Sequence, residues 1–222
     1  MTTAPGPRPW AELPADTAHL AERTVESRSV WRGTFLDVRL DRVALPDGRQ
    51  ATREYIVHPG AVMVVPLLED GGGLRVVCER QWRYPMGRAM LEFPAGKLEA
   101  GEPAVACAVR ELEEETGYRA AEWARAGATH NAIAYADEVI EVWFARGLVR
   151  GERRLDEGEF LDVCTASPDE LDALAASGDL TDAKTLVGLL WLGRWRAGAW
   201  PLKWATAEES RHLGRPPKTP AP

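Results

Sequence analysis

The stretch that decides the fold runs from Gly96 to Tyr118 and reads GKLEAGEPAVACAVRELEEETGY. Pro103 suits the first turn of a helix, where its missing N–H costs no hydrogen bond, and Gly117 suits the residue just after a helix ends. Between them, apolar residues recur at helical spacing: Val105, Val109 and Leu112. The pattern therefore predicts a helix that lays an apolar face on a core.

The same predicted helix carries a cluster of acids. Glu111 and Glu115 are four residues apart, so their carboxylates project from one face, with Glu114 beside them. Like charges at this spacing repel, and carboxylate oxygens are the ligands that Mg²⁺ prefers. A solvated acidic face is the simpler explanation for most Glu-rich helices. A cation site on these carboxylates is the alternative.

Composition bounds the class of protein. A chain of 222 residues allows one core, or one core with a small appendage. The formal charge of −7 argues against a basic surface for nucleic acid. No apolar run reaches the roughly 18 residues of a membrane span, and the first residues lack an apolar signal region, so we expect a cytoplasmic protein. The three cysteines, Cys78, Cys107 and Cys164, indicate small core residues of a reduced compartment.

Breaks in the pattern divide the chain into four segments. Residues 1–24 are expected to be a poorly ordered leader and residues 201–222 a flexible tail, because both are rich in Pro or polar residues. Residues 25–57 predict an antiparallel β unit around the turn signal Pro46-Asp47-Gly48. The main domain is expected over residues 58–200. A β unit this short cannot bury itself, so it should pack on its own domain or on a second copy.

The main domain mixes strands with few helices. Five segments have the apolar character of strands: Ala61–Leu68, Leu74–Arg80, Met90–Phe93, Val139–Ala145 and Phe160–Thr165. Ala120–Thr129 is weakly patterned. Ser167, followed by Pro and by Glu three residues later, predicts a capped helix start, and Asp182–Trp195 predicts a last amphipathic helix. These elements favour the α+β class.

The central stretch resembles the signature of the Nudix family, which hydrolyses nucleoside diphosphates linked to another group. The positions that carry the resemblance are Gly96, Glu102, Arg110, Glu111, Leu112, Glu114, Glu115 and Gly117. The resemblance implies a Nudix fold, in which a mixed β-sheet is sandwiched between helices, here with an N-terminal antiparallel β unit. The run Gln81–Glu102 is further similar to that of ADP-ribose and ADP-sugar pyrophosphatases.

That resemblance also implies a metal site. It places Mg²⁺, with Mn²⁺ as an alternative, on Glu111, Glu114, Glu115 and the carbonyl of Ala95. Arg110 would orient the acids, and Glu102 would close the loop ahead of the helix. A glutamate stands at the position of Glu92 in the family too. Glu92 either joins the cluster or is an ordinary strand charge.

The remaining candidate site residues lie outside the helix. Arg83 is a candidate for the diphosphate, because a guanidinium fork matches phosphate oxygens. The resemblance implies a homodimer whose N-terminal unit crosses to the partner, with Phe35 near the adenine and with Arg53 and Glu54 on the same unit. Phe35 and Trp31 could equally be plain packing residues. The general base is expected on the loop Arg153–Glu159, at Glu157 or Glu159, with Glu138 as the runner-up; each could also be a solvated charge.

The expected activity is hydrolysis of ADP-ribose to AMP and ribose 5-phosphate. Many ADP-ribose enzymes carry a Ser-Pro-Gly segment after the helix, whereas this chain has Ala132-Ile133-Ala134-Tyr135 there. The same chemistry on a GDP-sugar, a dinucleotide or an oxidised nucleotide is therefore an open alternative. A second class is a Nudix-fold sensor that binds a nucleotide without cleaving it. Turnover that needs Mg²⁺ and stops with a chelator would distinguish the enzyme from the sensor.

Overall fold

The computed structural model describes residues 17–69 and 71–214. The chain divides into two compact units, Met1–Val57 and His58–Pro222. None of the helices in the described ranges is both long enough and apolar enough to cross a membrane.

The first unit is a three-stranded antiparallel sheet. After a 3₁₀ turn at Ala18–Leu20 come β1 (Arg23–Arg32), β2 (Asp37–Ala44) and β3 (Gln50–Val57), in the spatial order β1, β2, β3. The predicted hairpin turn is confirmed: Gly48 has φ +85° and donates its N–H to the carbonyl of Leu45. Every residue of β1 is exposed, so this unit has one strand with no buried side chain.

The second unit is built on a seven-stranded mixed sheet. Its strands are β4 (Ala61–Glu69), β5 (Leu74–Arg83), β6 (Arg88–Glu92), β7 (Ala95–Lys97), β8 (Tyr118–Thr129), β9 (Ile140–Arg150) and β10 (Leu161–Ala166). The main path runs β10, β5, β4, β9, β8, while β6 pairs with β5 and β7 with β4. The pair β4 and β9 is parallel and the other pairs are antiparallel. The five predicted strands are all present.

Helices cover both faces of this sheet. The helices are α1 (Ala104–Glu111), α2 (Pro168–Ser177) and α3 (Ala183–Arg196). One buried cluster joins α1 to Val62, Val64 and Trp143, and a second joins the other face to Leu171 and Leu192. The α+β sandwich of the sequence analysis is confirmed, because β4 and β9 alternate their side chains between these two clusters.

Two segments differ from the pattern of the sequence. The weakly patterned residues form β8, which has a bulge between Arg125 and Gly127 and pairs with β9 along its length. The expected tail forms a bridge between Ala205 and Trp123 and stays in contact with the sheet as far as Gly214. Trp204 supplies the apolar anchor, since it packs edge-on against Trp195 with ring centroids 6.2 Å apart. Residues 1–16 of the leader and 215–222 of the tail lie outside the described ranges.

Candidate active site

The acidic stretch is not a uniform α-helix. α1 ends at Glu111 and continues as a π-helical turn over Leu112–Thr116, which stops at Gly117 with φ +74°. π-helical turns are rare and occur frequently at functional sites. The wider turn places Glu115 in the interior, where its residue is 3 % exposed, while Glu114 stays at the rim.

Glu111 lies against the backbone that enters the helix. A Cβ added at Gly96 would stand 1.8 Å from Oε1 of Glu111, so only glycine leaves room for this carboxylate. The glycine of the sequence motif therefore has a packing reason. It lets the strand β7 and the acid of α1 approach each other closely.

Arg110 joins five groups of the same segment, among them Sγ of Cys107, to which Nη2 donates at 3.3 Å. Its Nε and Nη2 donate to the two oxygens of Glu102 at 3.0 Å each, and its Nη1 donates to Glu111 at 2.7 Å and to Glu114 at 3.2 Å. Nη2 also donates to the carbonyl of Lys97. Burial alone would raise the pKa of Glu102, but these hydrogen bonds from Arg110 lower it. The arginine thus fixes the loop, the rim acid and Glu111 in one charge-assisted network.

Glu115 faces a second buried acid that the sequence analysis did not single out. The Oε2 of Glu115 accepts a hydrogen bond from the N–H of Ala95 at 3.0 Å. Glu79, on β5, lies within hydrogen-bonding reach of Glu115 and is wholly buried. Within the described residues, neither oxygen of Glu79 accepts a hydrogen bond from an N–H or O–H donor of the protein. Two carboxylates therefore meet in the interior of the second unit.

Glu92, directly opposite Glu79 in the β5–β6 register, is by contrast fully paired. Arg83 donates from Nε and Nη2 to its two oxygens at 2.7 Å each, and the buried Lys184 bonds to its Oε2. Lys184 also donates to Asp182, the residue that caps α3, at 2.9 Å. Burial alone would raise the pKa of Glu92, but Arg83 and Lys184 together lower it. Glu92 is a charged link between β6 and α3.

Burial and crowding shape the protonation of the other acids. Burial, and then repulsion from Glu79 and Glu111, raises the pKa of Glu115. Burial, and then repulsion from Glu92, raises the pKa of Glu79. Burial also raises the pKa of Glu111, although Arg110 opposes it. Among the described residues, Arg110 pairs with Glu111, but no Lys or Arg forms an ion pair with Glu79 or Glu115.

The three candidates for the base are in different surroundings. Glu159 is half-buried and accepts a hydrogen bond from Nε2 of Gln81 at 3.1 Å, and its charge contributes to the raised pKa of both Glu111 and Glu115. Glu157 is exposed on the loop. Glu138 lies 3.5 Å from Nε2 of the buried His58. Of the three candidates, the structure therefore places Glu159 close enough for its charge to act on Glu111 and Glu115.

Three other sequence candidates, Phe35, Arg53 and Glu54, belong to the first unit. Phe35 is half-exposed on the connection between β1 and β2. Arg53 forms an ion pair with Glu22 and donates to the carbonyl of Thr52. Glu54 is exposed on β3 opposite Leu40.

Sequence reasoning missed Glu79 and Lys184, although each left a signal. Glu79 is a charged residue directly after the apolar run Val76–Cys78 of β5, and Lys184 is a charged residue at the start of α3. Charged side chains are rarely buried unless they are paired or hold a ligand. A search for charges at core positions of the predicted elements would have found both.

Two protein-family models match the chain. Residues 57–187 match the model of the NUDIX domain, and residues 22–56 match the model of the nucleoside diphosphate sugar hydrolase N-terminal domain. The chain belongs to the Nudix family. It is a Nudix hydrolase whose signature segment is the α1 and π-turn stretch described above.

Two relatives of this Nudix hydrolase cover most of its length. The "ADP-ribose pyrophosphatase" of Bacillus subtilis (strain 168) is 36% identical over 175 residues, which are 78% of this chain and 93% of the relative. The "Methanol dehydrogenase activator" of Bacillus methanolicus is 36% identical over 175 residues, which are 77% of this chain and 92% of that protein. Among solved structures, "Crystal structure of ADP compounds hydrolase" superposes with a TM-score of 0.72 at 22% identity, covering 81% of this chain and 96% of that chain. That likeness shows the fold.

Nudix hydrolases use divalent metal ions, and the acids of this chain fit such an ion. The donor set is made of carboxylates, as Mg²⁺ and Mn²⁺ prefer, and two buried oxygens of Glu79 have no donor in the described chain. Within residues 17–69 and 71–214, no group of three or more Asp, Glu, His or Cys side chains is already arranged around one point.

Proposed function

We propose that the chain hydrolyses the diphosphate bond of a nucleoside diphosphate sugar in a Mg²⁺-dependent reaction, with ADP-ribose as its preferred substrate. The products would be AMP and ribose 5-phosphate. The observation that carries the proposal is the burial of Glu115 beside Glu79 and Glu111, in the matched Nudix segment, with no ion pair to a Lys or Arg of the described residues. The printed name of the Bacillus subtilis relative supports ADP-ribose as the substrate.

We assign the metal to Glu111, Glu115, Glu114 and the carbonyl of Ala95, with Mn²⁺ as an alternative to Mg²⁺. When bound, the ion would neutralise negative charge on the diphosphate and lower the pKa of water. Arg110 holds Glu111 and Glu114 in place from the opposite side. The N–H of Ala95 fixes the orientation of Glu115.

Glu159 is our choice for the general base. Water attacks one phosphorus of the bridge and gives a proton to the carboxylate of Glu159, while the bond from that phosphorus to the bridging oxygen breaks. The released phosphate keeps the electron pair of that bond. Glu159 suits the role because Gln81 hydrogen-bonds to its carboxylate, whose charge acts on Glu111 and Glu115. Gly158, with φ +84°, gives the preceding loop a turn that other residues rarely adopt.

Arg83 remains our candidate for the diphosphate. Two of its three guanidinium nitrogens donate to Glu92, and within the described residues no hydrogen bond is recorded from Nη1. Glu92 therefore holds the fork rigid and leaves one edge for a phosphate oxygen. We retain Phe35, Arg53, Glu54 and Glu138 as candidates for the nucleoside and sugar, with the first three supplied by the partner of a homodimer.

A substrate panel tests the proposal. The purified chain would be incubated with ADP-ribose, other ADP-sugars, a GDP-sugar, a dinucleotide and an oxidised nucleotide, each with Mg²⁺ and again with EDTA. We expect AMP from ADP-ribose with the highest kcat/KM, and no product with EDTA. Cleavage of another member of the panel in preference would assign that substrate instead. Nucleotide binding without any product would make the chain a sensor and end the catalytic proposal.

A further inference from the structure

We infer that Glu79 is a ligand of the divalent cation, as the deepest carboxylate of the metal site. This assignment rests on the proposed Mg²⁺-dependent function. It adds a residue from β5, outside the Nudix signature stretch of Gly96–Tyr118.

The first support is the state of the Glu79 carboxylate. The residue is wholly buried, and neither oxygen accepts a hydrogen bond from an N–H or O–H of the described chain. Its polar neighbour is the carboxylate of Glu115, which is also an acceptor. Leaving an ionised carboxylate without donors in the interior costs on the order of several kcal/mol, so such a group takes up either a proton or a cation from solution.

The second support is the way in which the nearby cations are used. Arg83 donates two hydrogen bonds to Glu92, and Lys184 forms ion pairs with both Glu92 and Asp182. On the other side, Arg110 is committed to Glu102, Glu111 and Glu114. No Lys or Arg in the described part of the chain forms an ion pair with Glu79 or Glu115. The negative charge that remains unbalanced is therefore located at these two residues.

The third support is the contrast with Glu92. Both acids sit in one register pair of β5 and β6 and both are buried. Like charges directly opposite each other destabilise a sheet. The chain neutralises one member with two cations, which makes Glu92 unavailable as a ligand, and leaves the other free and within reach of Glu115. An ion between Glu79 and Glu115 completes this charge balance with the oxygen ligands that Mg²⁺ prefers.

Metal affinity, not activity, is the decisive measurement. Mn²⁺ would be titrated into the full-length chain, and the free ion would be followed by its EPR signal, for the wild type and for Glu79→Gln. The amide keeps the size of the side chain and removes its charge. We expect the tightest Mn²⁺ site to weaken at least about tenfold, the scale seen when metal-site partners are removed. An unchanged dissociation constant in a folded Glu79→Gln protein overturns the inference.

Two further variants make the result specific. Glu141→Gln is a matched control, because Glu141 is an equally buried strand glutamate that is paired with Arg125 outside the acid cluster. Its Mn²⁺ affinity should equal that of the wild type. If Glu79→Gln does not fold, Glu79→Asp keeps the charge on a shorter side chain and should weaken Mn²⁺ by a smaller factor; an unchanged affinity there also counts against Glu79.

The inference and the proposed function fail in different ways. If Glu115→Gln loses Mn²⁺ affinity and Glu79→Gln does not, the Nudix metal site stands and Glu79 is not its ligand. If the wild type binds no Mn²⁺, the metal-dependent function itself fails.

Discussion

At the scale of single residues, a substitution at Glu115 can remove the charge of the side chain without changing its packing. Glu115→Gln keeps the volume of a buried side chain and can still accept the N–H of Ala95, so the fold should survive. The charge that holds the cation is lost. We expect turnover to fall by about 100-fold or more, on the order of 3 kcal/mol of barrier. Steady-state rates with saturating Mg²⁺ and circular dichroism would measure the two effects.

The same turn offers a control for this change. Glu113 is paired with Arg119 on the outer side and is not part of the acid cluster. Glu113→Gln should leave turnover unchanged. A well-folded Glu115→Gln protein with near-normal activity would remove Glu115 from the metal site.

The close contact between Gly96 and Glu111 allows a steric test of the same site. Its φ is not in the left-handed region, so alanine is compatible with the backbone, but the added methyl group would overlap the carboxylate of Glu111. Glu111 must then move. We expect Gly96→Ala to lower kcat at least about tenfold, since small misplacements of reacting groups cost that much or more.

The matched control is Gly193→Ala on α3, where an added Cβ meets nothing within 4 Å. Alanine there should leave kcat unchanged and raise the unfolding free energy by up to about 1 kcal/mol. Equal kinetics for the two alanine variants would show that Glu111 needs no such close approach to β7.

The choice of base is decided by comparing three glutamates. Glu159→Gln should lower kcat by about 100-fold or more with little change in KM, because the proton acceptor acts in the chemical step. Glu157→Gln and Glu138→Gln should stay within about tenfold of the wild type. A large loss of kcat in either of these, with Glu159→Gln unaffected, would move the base to that residue.

The sequence could predict that Glu111, Glu114 and Glu115 act together, because they lie close to one another along the chain. The roles of Glu79 and Lys184 could not be predicted in the same way, because the residues that they contact lie far away along the chain. Lys184 is 92 residues from Glu92. Only the folding of β5, β6 and α3 onto one another shows that one acid is neutralised and the other is not.

At the scale of elements, strands with apolar runs were predictable and the π-turn was not. The runs of β4 and β9 are buried on both faces, which is the strongest signal a strand can give. β8 has a mixed pattern because its exposed residues alternate irregularly around a bulge, so its pairing with β9 decides its structure. The π-turn has the same composition as an α-helix. It is specified by the burial of Glu115 beneath β7, which is a tertiary contact.

The buried acids of the π-turn and β5 predict a pH dependence for the metal-free protein. The pKa values of Glu115 and Glu79 are raised above the ordinary value of 4.5. Above that pH the unfolded chain releases protons that the folded chain still holds, so the unfolding free energy falls as pH rises. With EDTA present, we expect Tm to fall between about pH 5 and pH 8, and Mg²⁺ to restore it at about pH 8.

Glu115→Gln identifies the source of this slope. The variant cannot titrate at that position, so its Tm in EDTA should vary less with pH than that of the wild type. Parallel Tm curves for the two proteins would show that the slope arises elsewhere in the chain.

At the scale of the whole molecule, the exposed residues of the first unit bear on whether the chain forms an oligomer. We carry the four-segment division forward as a proposal, with the β unit as the part that contacts a partner. β1 exposes Val25, Val30 and Trp31, at 47%, 47% and 55%. Three strands with so few buried side chains are marginal alone, and exposed apolar residues on one strand mark a contact surface.

We therefore predict a homodimer in which this strand meets the second copy. Light scattering at micromolar concentration should give about twice 24.4 kDa. Trp31→Asp places a charge in the contact and should shift the mass toward one chain, whereas Arg28→Asp on the same strand is the matched change at a polar position. If the dimer supplies Phe35 to its partner's site, Trp31→Asp should also raise KM for ADP-ribose. A wild-type monomer that hydrolyses ADP-ribose at full rate would contradict both the dimer and the shared site, because each chain would then hold a complete site of its own.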